Sequence, residues 1–437
     1  MIAMILALTF GCAVVSSGAG PAITLDPPVV LRGDPVSITV SGLDPGAQAT
    51  IICRRKYGRE NTIYESAATF VADSAGSVDV AKSRPLAAPW RDADGTGLFW
   101  SMRNTGSPAP GAWTRHEVYV EVHADADGQP DASAVLSMSP SVDNLVEIPL
   151  GADHPSAFIL RPPGTDPLPA VIILGGSEGG DSAARGMAPR LASRGYAAVG
   201  LPYYGGRIEG LPQAFADLPL DRVEQVRDLL RERDDIDDEN IGLWGVSKGG
   251  EYALAVSSRV SGFAAVVAIV PSDVIWQGWG AGGEDTPSSF SWRGERLAYV
   301  PYLGMGIEFA KYERDQKVAI RTPHDAGRLS SPERVAAARI AVEDIDAPVF
   351  LVGGDSDETW DSGGMARNIY EAREKAGLET VLLVDKQAGH FLSGDAYTPV
   401  RRRADAALRR KSFPAMLEFL ETHLKDPPRS SGAPNGG

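Results

Sequence analysis

The segment that most restricts how this chain can fold is Gly245-Val246-Ser247-Lys248-Gly249. The apolar run Ile241-Gly242-Leu243-Trp244 leads into it, and the helix-compatible Glu251-Tyr252-Ala253-Leu254-Ala255 leads out. Between a strand and a helix, G-x-S-x-G makes a turn so tight that the serine is forced into a strained backbone conformation. Small residues at 245 and 249 let strand and helix approach closely. The hydroxyl then stands exposed at the C-terminal edge of a sheet.

The surrounding pattern supplies such a sheet. From about residue 146, apolar runs alternate with helical stretches. Ala170 to Leu174, Tyr196 to Leu201, Ala264 to Ile269, Val349 to Gly353 and Val381 to Val384 read as strands. Ser182 to Arg194 and Leu220 to Arg231 read as helices, the second with Val223, Val226, Leu229 and Leu230 on one side. Strands separated by helices imply a mostly parallel sheet. Continuous apolar runs require burial on both faces. The expectation is an α/β-hydrolase domain over residues 146–425. Residues 271–335 interrupt it with Trp276, Trp279, Trp292, Tyr299 and Tyr302, read either as a lid over a pocket or as an aromatic-packed cap.

Residues 21–145 obey a different periodicity. Val36-Ser37-Ile38-Thr39-Val40 and Glu117-Val118-Tyr119-Val120-Glu121-Val122 alternate with period two, and short strands recur between turn residues. That pattern predicts an all-β, immunoglobulin-like sandwich. Residues 426–437, rich in Pro, Ser and Gly, are expected to be disordered.

Residues 1–20 read as a leader: an uncharged apolar run from Ile2 to Val15, then Ser17 and Ala19 as a cleavage site. Gly11-Cys12 also resembles the end of a lipoprotein signal, with Cys12 as the lipid anchor. A genuine leader implies an exported protein, periplasmic, secreted or lipid-anchored. A mis-assigned start codon implies a cytoplasmic one. The run is short for a membrane span, and no other segment approaches that length. The net charge of −15 argues against nucleic acid as a partner. Two cysteines exclude a disulfide framework and any Cys/His metal constellation, so no cofactor is expected.

A serine hydroxyl is a poor nucleophile without a base. In an α/β hydrolase the order along the chain is serine, acid, histidine. His390, in Gln387-Ala388-Gly389-His390, follows the last strand and is the expected base. His324 precedes the acid, and His423 falls in the final helix. Asp357 or Asp355, in Gly354-Asp355-Ser356-Asp357, is the acid, with Asp357 at the usual spacing. The acid holds the imidazole tautomer and stabilises the imidazolium. Oxyanion donors are expected from the backbone N–H of Lys248 and from that of Ser177 or Glu178, within Gly175-Gly176-Ser177-Glu178-Gly179-Gly180. This glycine cluster lacks the spacing of a nucleotide-binding loop. The run Asp234-Asp235-Ile236-Asp237-Asp238-Glu239 lacks the glycine and terminal glutamate of a calcium loop and reads as a solvated turn. Arg401, Arg402, Arg403, Arg409, Arg410 and Lys411 read as a solvated helix face or as a dock for an anionic ligand.

These residues together resemble the type I acyl-CoA thioesterases and bile acid-CoA:amino acid N-acyltransferase. The likeness is carried by Leu25-Asp26-Pro27, Gly97-Leu98-Phe99-Trp100-Ser101-Met102, Tyr203-Tyr204, the elbow through Glu251, Asp357-Glu358-Thr359-Trp360-Asp361-Ser362 and Ala388-Gly389-His390. It implies a triad of Ser247, Asp357 and His390, and hydrolysis of an acyl thioester, with acyl-CoA as the expected substrate, through an acyl-enzyme. The acyltransferase branch typically carries cysteine where this chain has Ser247. An exported carboxylic ester hydrolase, an acyl-CoA:amino acid N-acyltransferase and a non-catalytic binding protein are the alternatives. The Glu178 loop departs from the family's more glycine-rich version.

Overall fold

The computed structural model describes residues 20–58, 60–125, 128–280, 287–314, 316–390, 392 and 399–426. The leader, Cys12 and the tail from 427 onward lie outside them. Contacts divide the chain after Ser139 into two compact units.

Among its described residues, the first unit is all β apart from one short helical turn at Gly97–Trp100. A six-stranded sheet runs in the order Val29–Leu31, Ala132–Ser139, Glu117–His123, Gln48–Tyr57, Thr62–Val71, Arg103–Pro108. A three-stranded sheet holds Ala22–Asp26, Ser37–Ser41 and Val78–Asp79. Alternation decides what is buried: Ala49, Ile51 and Cys53 point inward from one strand, and Val118, Val120 and Val122 from its neighbour. Arg103–Pro108 is exposed at every position. It therefore has no periodicity for a sequence reading to find.

The second unit is an α/β hydrolase. Its strands are β1 (Val146–Pro149), β2 (Phe158–Arg161), β3 (Leu168–Leu174), β4 (Ala197–Gly200), β5 (Ile236–Val246), β6 (Ala265–Ile269), β7 (Val349–Gly354) and β8 (Thr380–Asp385). They form one sheet in the order β1-β2-β4-β3-β5-β6-β7-β8. The pairs β1–β2 and β2–β4 are antiparallel, and every later pair is parallel. The sequence reading lacked β1 and β2, which are four residues each and close off the sheet edge.

Because successive residues of a strand face opposite ways, β3 divides itself between two cores. Ala170, Ile172 and Leu174 join one with helices α2 (Asp221–Arg231), α3 (Lys248–Ser257) and α4 (Ser362–Lys375). Val171 and Ile173 join the other with α1 (Ser182–Ala192) and α5 (Pro399–Leu424).

Two sequence expectations are corrected. The acidic run is not a turn throughout: Ile236–Glu239 open β5, and Asp235 before them pairs with Arg161 at 2.7 Å and Arg233 at 2.8 Å. The basic run on α5 is not wholly solvated either. Arg402 is buried, and Arg409 donates to the Leu392 carbonyl at 2.8 Å.

Within residues 271–335, Phe290–Trp292 and Glu295–Arg296 extend Leu218–Pro219 into a small sheet. Helices Met305–Glu313, Arg321–Ser330 and, just beyond, Pro332–Ala338 follow. The rings pack inward. Trp276 is fully buried and stacks on Tyr302 at 5.7 Å, and Trp279 stacks on Phe215 at 4.3 Å.

Candidate active site

Ser247 lies between β5 and α3 with φ 56° and ψ −122°. A non-glycine residue at positive φ costs about 1–3 kcal/mol and persists only where its surroundings dictate it. Here they do. A Cβ on Gly245 would stand 2.1 Å from the Gly249 carbonyl oxygen, and one on Gly249 would stand 2.2 Å from that of Leu174. The Ser247 N–H is tied to the Ile269 carbonyl at 2.9 Å. The turn therefore cannot relax by moving strand from helix.

The three side chains that chain order singles out meet in space. His390 Nε2 is 2.8 Å from Ser247 Oγ, and His390 Nδ1 is 2.8 Å from Asp357 Oδ2. A carboxylate only accepts, so Nδ1 carries the proton and Nε2 is left to accept from the serine hydroxyl. Asp357 is 1% exposed, and its Oδ1 accepts the N–H groups of Thr359 at 2.8 Å and Trp360 at 3.2 Å. The Trp360 ring meets His390 edge-on at 5.4 Å, and its Nε1 donates to the Val270 carbonyl at 3.1 Å. The backbone under the imidazole is held as well. Asp405 on α5 accepts the Gly389 N–H at 2.7 Å, and Glu358 accepts the His390 N–H at 3.2 Å. Sequence reading missed both carboxylates, which reach the loop from distant or unpatterned positions.

Asp355 turns away from the imidazole and pairs with Arg367 at 2.7 and 3.0 Å. His423 approaches Glu379 at 3.2 Å. His324 is buried among Trp276 at 4.7 Å, Tyr302 at 4.8 Å and Trp360 at 5.7 Å, with Nδ1 2.8 Å from the Ile320 carbonyl oxygen. Burial pushes its pKa down to about 4, so at neutral pH it is an uncharged packing residue behind Trp360.

Lys248 heads α3, where a backbone N–H has no acceptor within the helix. Across the gap, the N–H groups of Ser177 and Glu178 donate to no acceptor among the described residues. The carbonyls of that loop are held elsewhere. Tyr203 donates its hydroxyl to Gly175 O at 2.7 Å, and Tyr204 reaches Ser177 O at 3.4 Å. The double tyrosine thus fixes the loop, a role that only the coordinates reveal. The Glu178 side chain folds back so that Oε1 accepts the Gly176 N–H at 3.1 Å.

The Lys248 side chain turns inward, contrary to the usual fate of a lysine. Its Nζ donates to Glu251 at 2.5 Å and to Ser289 Oγ at 2.7 Å, and lies 5.1 and 5.2 Å from the Phe215 and Phe290 ring centroids. Glu251, 0% exposed, accepts the Trp276 N–H at 3.0 Å on its other oxygen. Burial pushes Lys248 down and Glu251 up in pKa, while their mutual attraction opposes both shifts. The pair clips the segment around Trp276 and Ser289 to the first turn after the nucleophile. Its sequence signal was the Lys–Glu spacing of three on a helix. Among the described residues, no group of His, Cys, Asp and Glu is placed to hold a metal ion.

Two family models match. The acyl-CoA thioester hydrolase/BAAT N-terminal region covers residues 33–139, and the BAAT/acyl-CoA thioester hydrolase C-terminal region covers 219–424. Acyl-coenzyme A thioesterase 5 of Mus musculus is 27% identical over 388 residues, which are 85% of this chain and 86% of that protein. Acyl-coenzyme A thioesterase 1 of Rattus norvegicus is 26% identical over 374 residues, 82% of each. Among solved structures, the Pyrococcus horikoshii acylaminoacyl peptidase covers 92% of this chain and 61% of its own, with 14% identity and a TM-score of 0.44, so the family assignment rests on the sequence matches.

Proposed function

This chain belongs to the acyl-CoA thioester hydrolase/BAAT family, and on that premise we propose that it hydrolyses acyl-CoA thioesters through an acyl-enzyme on Ser247. The observation that carries the reading is the unbroken line of hydrogen bonds from Ser247 Oγ through His390 to Asp357. As Ser247 Oγ attacks the thioester carbonyl, His390 Nε2 takes its proton, and Asp357 stabilises the resulting imidazolium. The oxyanion forms against the N–H of Lys248 and that of Ser177 or Glu178. The carbonyl re-forms as the C–S bond breaks, and CoA leaves with the proton from His390. Water then repeats the sequence on the acyl-enzyme and releases the fatty acid.

Serine at position 247 favours water over an amine as acceptor, since the acyltransferase branch of the family typically uses cysteine there. The leader read in residues 1–20 bears on the substrate, because an exported enzyme would meet other esters or thioesters in place of acyl-CoA. The mature N-terminus, determined by mass spectrometry, decides between the two settings. The test of activity is release of free CoA thiol from a series of acyl-CoAs, beside p-nitrophenyl esters of the same acyl groups. Thiol release is expected from the wild type, with Ser247→Ala reduced at least ~10⁴-fold. Turnover of esters alone would move the assignment to a carboxylic ester hydrolase.

A further inference from the structure

The mechanism leaves the Glu178 carboxylate unused, although it stands beside the nucleophile. Glu178 Oε2 is 2.7 Å, and Ser247 Cβ 3.3 Å, from the point that a Cβ on Gly176 would occupy. The carboxylate oxygen and the nucleophile's Cβ are therefore within about 6 Å of each other. Only the missing side chain of Gly176 makes room for both. Oε1 is engaged by the Gly176 N–H at 3.1 Å, and no cationic side chain pairs with Glu178 among the described residues. The residue is solvent-exposed and its carboxylate lies within about 6 Å of the Ser247 Cβ, within electrostatic reach of a group held at Ser247. Tyr203 donates its hydroxyl to Gly175 O at 2.7 Å and, kept neutral by burial with the Glu178 charge adding to the upward shift of its pKa, offers the carboxylate no counter-charge.

A fixed negative charge this near the reacting carbon acts selectively. It opposes a second negative charge on the acyl group and attracts a positive one. We propose that Glu178 sets the charge selectivity of the site, favouring acyl groups that carry an ammonium near the thioester carbonyl and rejecting those that carry a carboxylate there. The inference rests on Ser247 as the nucleophile, and it names the class of acyl group that the site accepts.

Three acyl groups of matched chain length vary the charge at the far end, and the Glu178 variants separate that effect from shape: 3-aminopropanoyl, butanoyl and 3-carboxypropanoyl. Each is presented both as its CoA thioester and as its p-nitrophenyl ester, and kcat/KM is measured for the wild type, Glu178→Gln and Glu178→Lys. Glutamine keeps an oxygen for the Gly176 N–H and removes only the charge. In the wild type, kcat/KM should fall in the order given, by roughly 10- to 100-fold from first to last, with the spread narrowing at high salt. Glu178→Gln should compress that ratio about 10-fold, and Glu178→Lys should invert it. A purely structural role would lower all three substrates together and leave the ratios unchanged, which would overturn the proposal. Butanoyl-CoA turnover with ratios unmoved by Glu178→Gln sinks this inference alone. Ratios that respond in the ester series, with no thioester cleaved, sink the acyl-CoA reading and leave this one standing.

Discussion

Two buried charge networks converge on the nucleophile elbow, and they differ in where a proton can go. On one side, Asp357 and His390 form a chain that ends at the Ser247 hydroxyl, so a proton leaving the serine has an imidazole to receive it. On the other, Lys248 and Glu251 form a closed ion pair capped by Ser289, Trp276 and aromatic rings. The first is open to a reacting group, and the second is not. Equal burial and similar hydrogen-bond lengths therefore do not make equal roles. What separates them is whether the last partner in the chain is a nucleophile or a backbone clip.

The sharpest way to break this comparison is to change each network by the least possible amount. Asp357→Asn keeps the shape and loses the charge that selects the His390 tautomer. It should lower kcat by about 10⁴-fold while leaving the unfolding midpoint nearly in place. Glu251→Ala should do the reverse in kind. It strands the Lys248 ammonium in an apolar interior, and urea unfolding should show a loss of about 3–5 kcal/mol. Replacing both members, Lys248→Met with Glu251→Met, should recover most of that loss, because no unpaired charge remains. Failure of the double variant to recover would show that the pair itself, and not its desolvation balance, holds the segment.

A smaller effect separates the neutral histidine behind Trp360 from the one on Ser247. Burial, partly offset by the hydrogen bond to Ile320, lowers His324 from 6.5 to about 4. Between those values the unfolded chain binds a proton that the folded chain does not, so stability falls as pH drops through that window. The whole loss is on the order of 3 kcal/mol. His324→Phe should flatten the pH dependence of unfolding free energy by up to about 1.4 kcal/mol per pH unit there, measured by urea titration between pH 7 and 4. The smallest effect belongs to Asp355. Its pair with Arg367 is partly exposed, so Asp355→Asn should cost no more than about 1 kcal/mol and change turnover little. A large fall in turnover would return Asp355 to candidacy as the acid.

Much of this was legible in the chain because the relevant constraints are local. The elbow needs glycines at two positions, and apolar runs between helices dictate a buried parallel sheet. The acid follows a strand that ends in glycine, and the base follows a glycine in the loop after the last strand. The remainder was hidden where the constraint is long-range or unpatterned. Asp405 holds the Gly389 N–H from sixteen residues away, and nothing in its helix marks it for that task. Lys248 is read from sequence through its backbone, while the fate of its side chain depends on Phe215 and Ser289, which only the fold brings near. The acidic run misled for the opposite reason. Its charge suggested solvent, yet a strand can begin in solvent and continue into a core, as β5 does from Ile236 to Val246.

The central claim is that a covalent acyl group passes through Ser247. Rapid quenching of the enzyme with an acyl-CoA, followed by peptide mapping in a mass spectrometer, tests it directly. The predicted result is one acyl mass on the peptide containing Ser247, appearing as CoA is released and absent in Ser247→Ala. Steady turnover with the acyl group on another residue, or an active Ser247→Ala enzyme, would contradict the account.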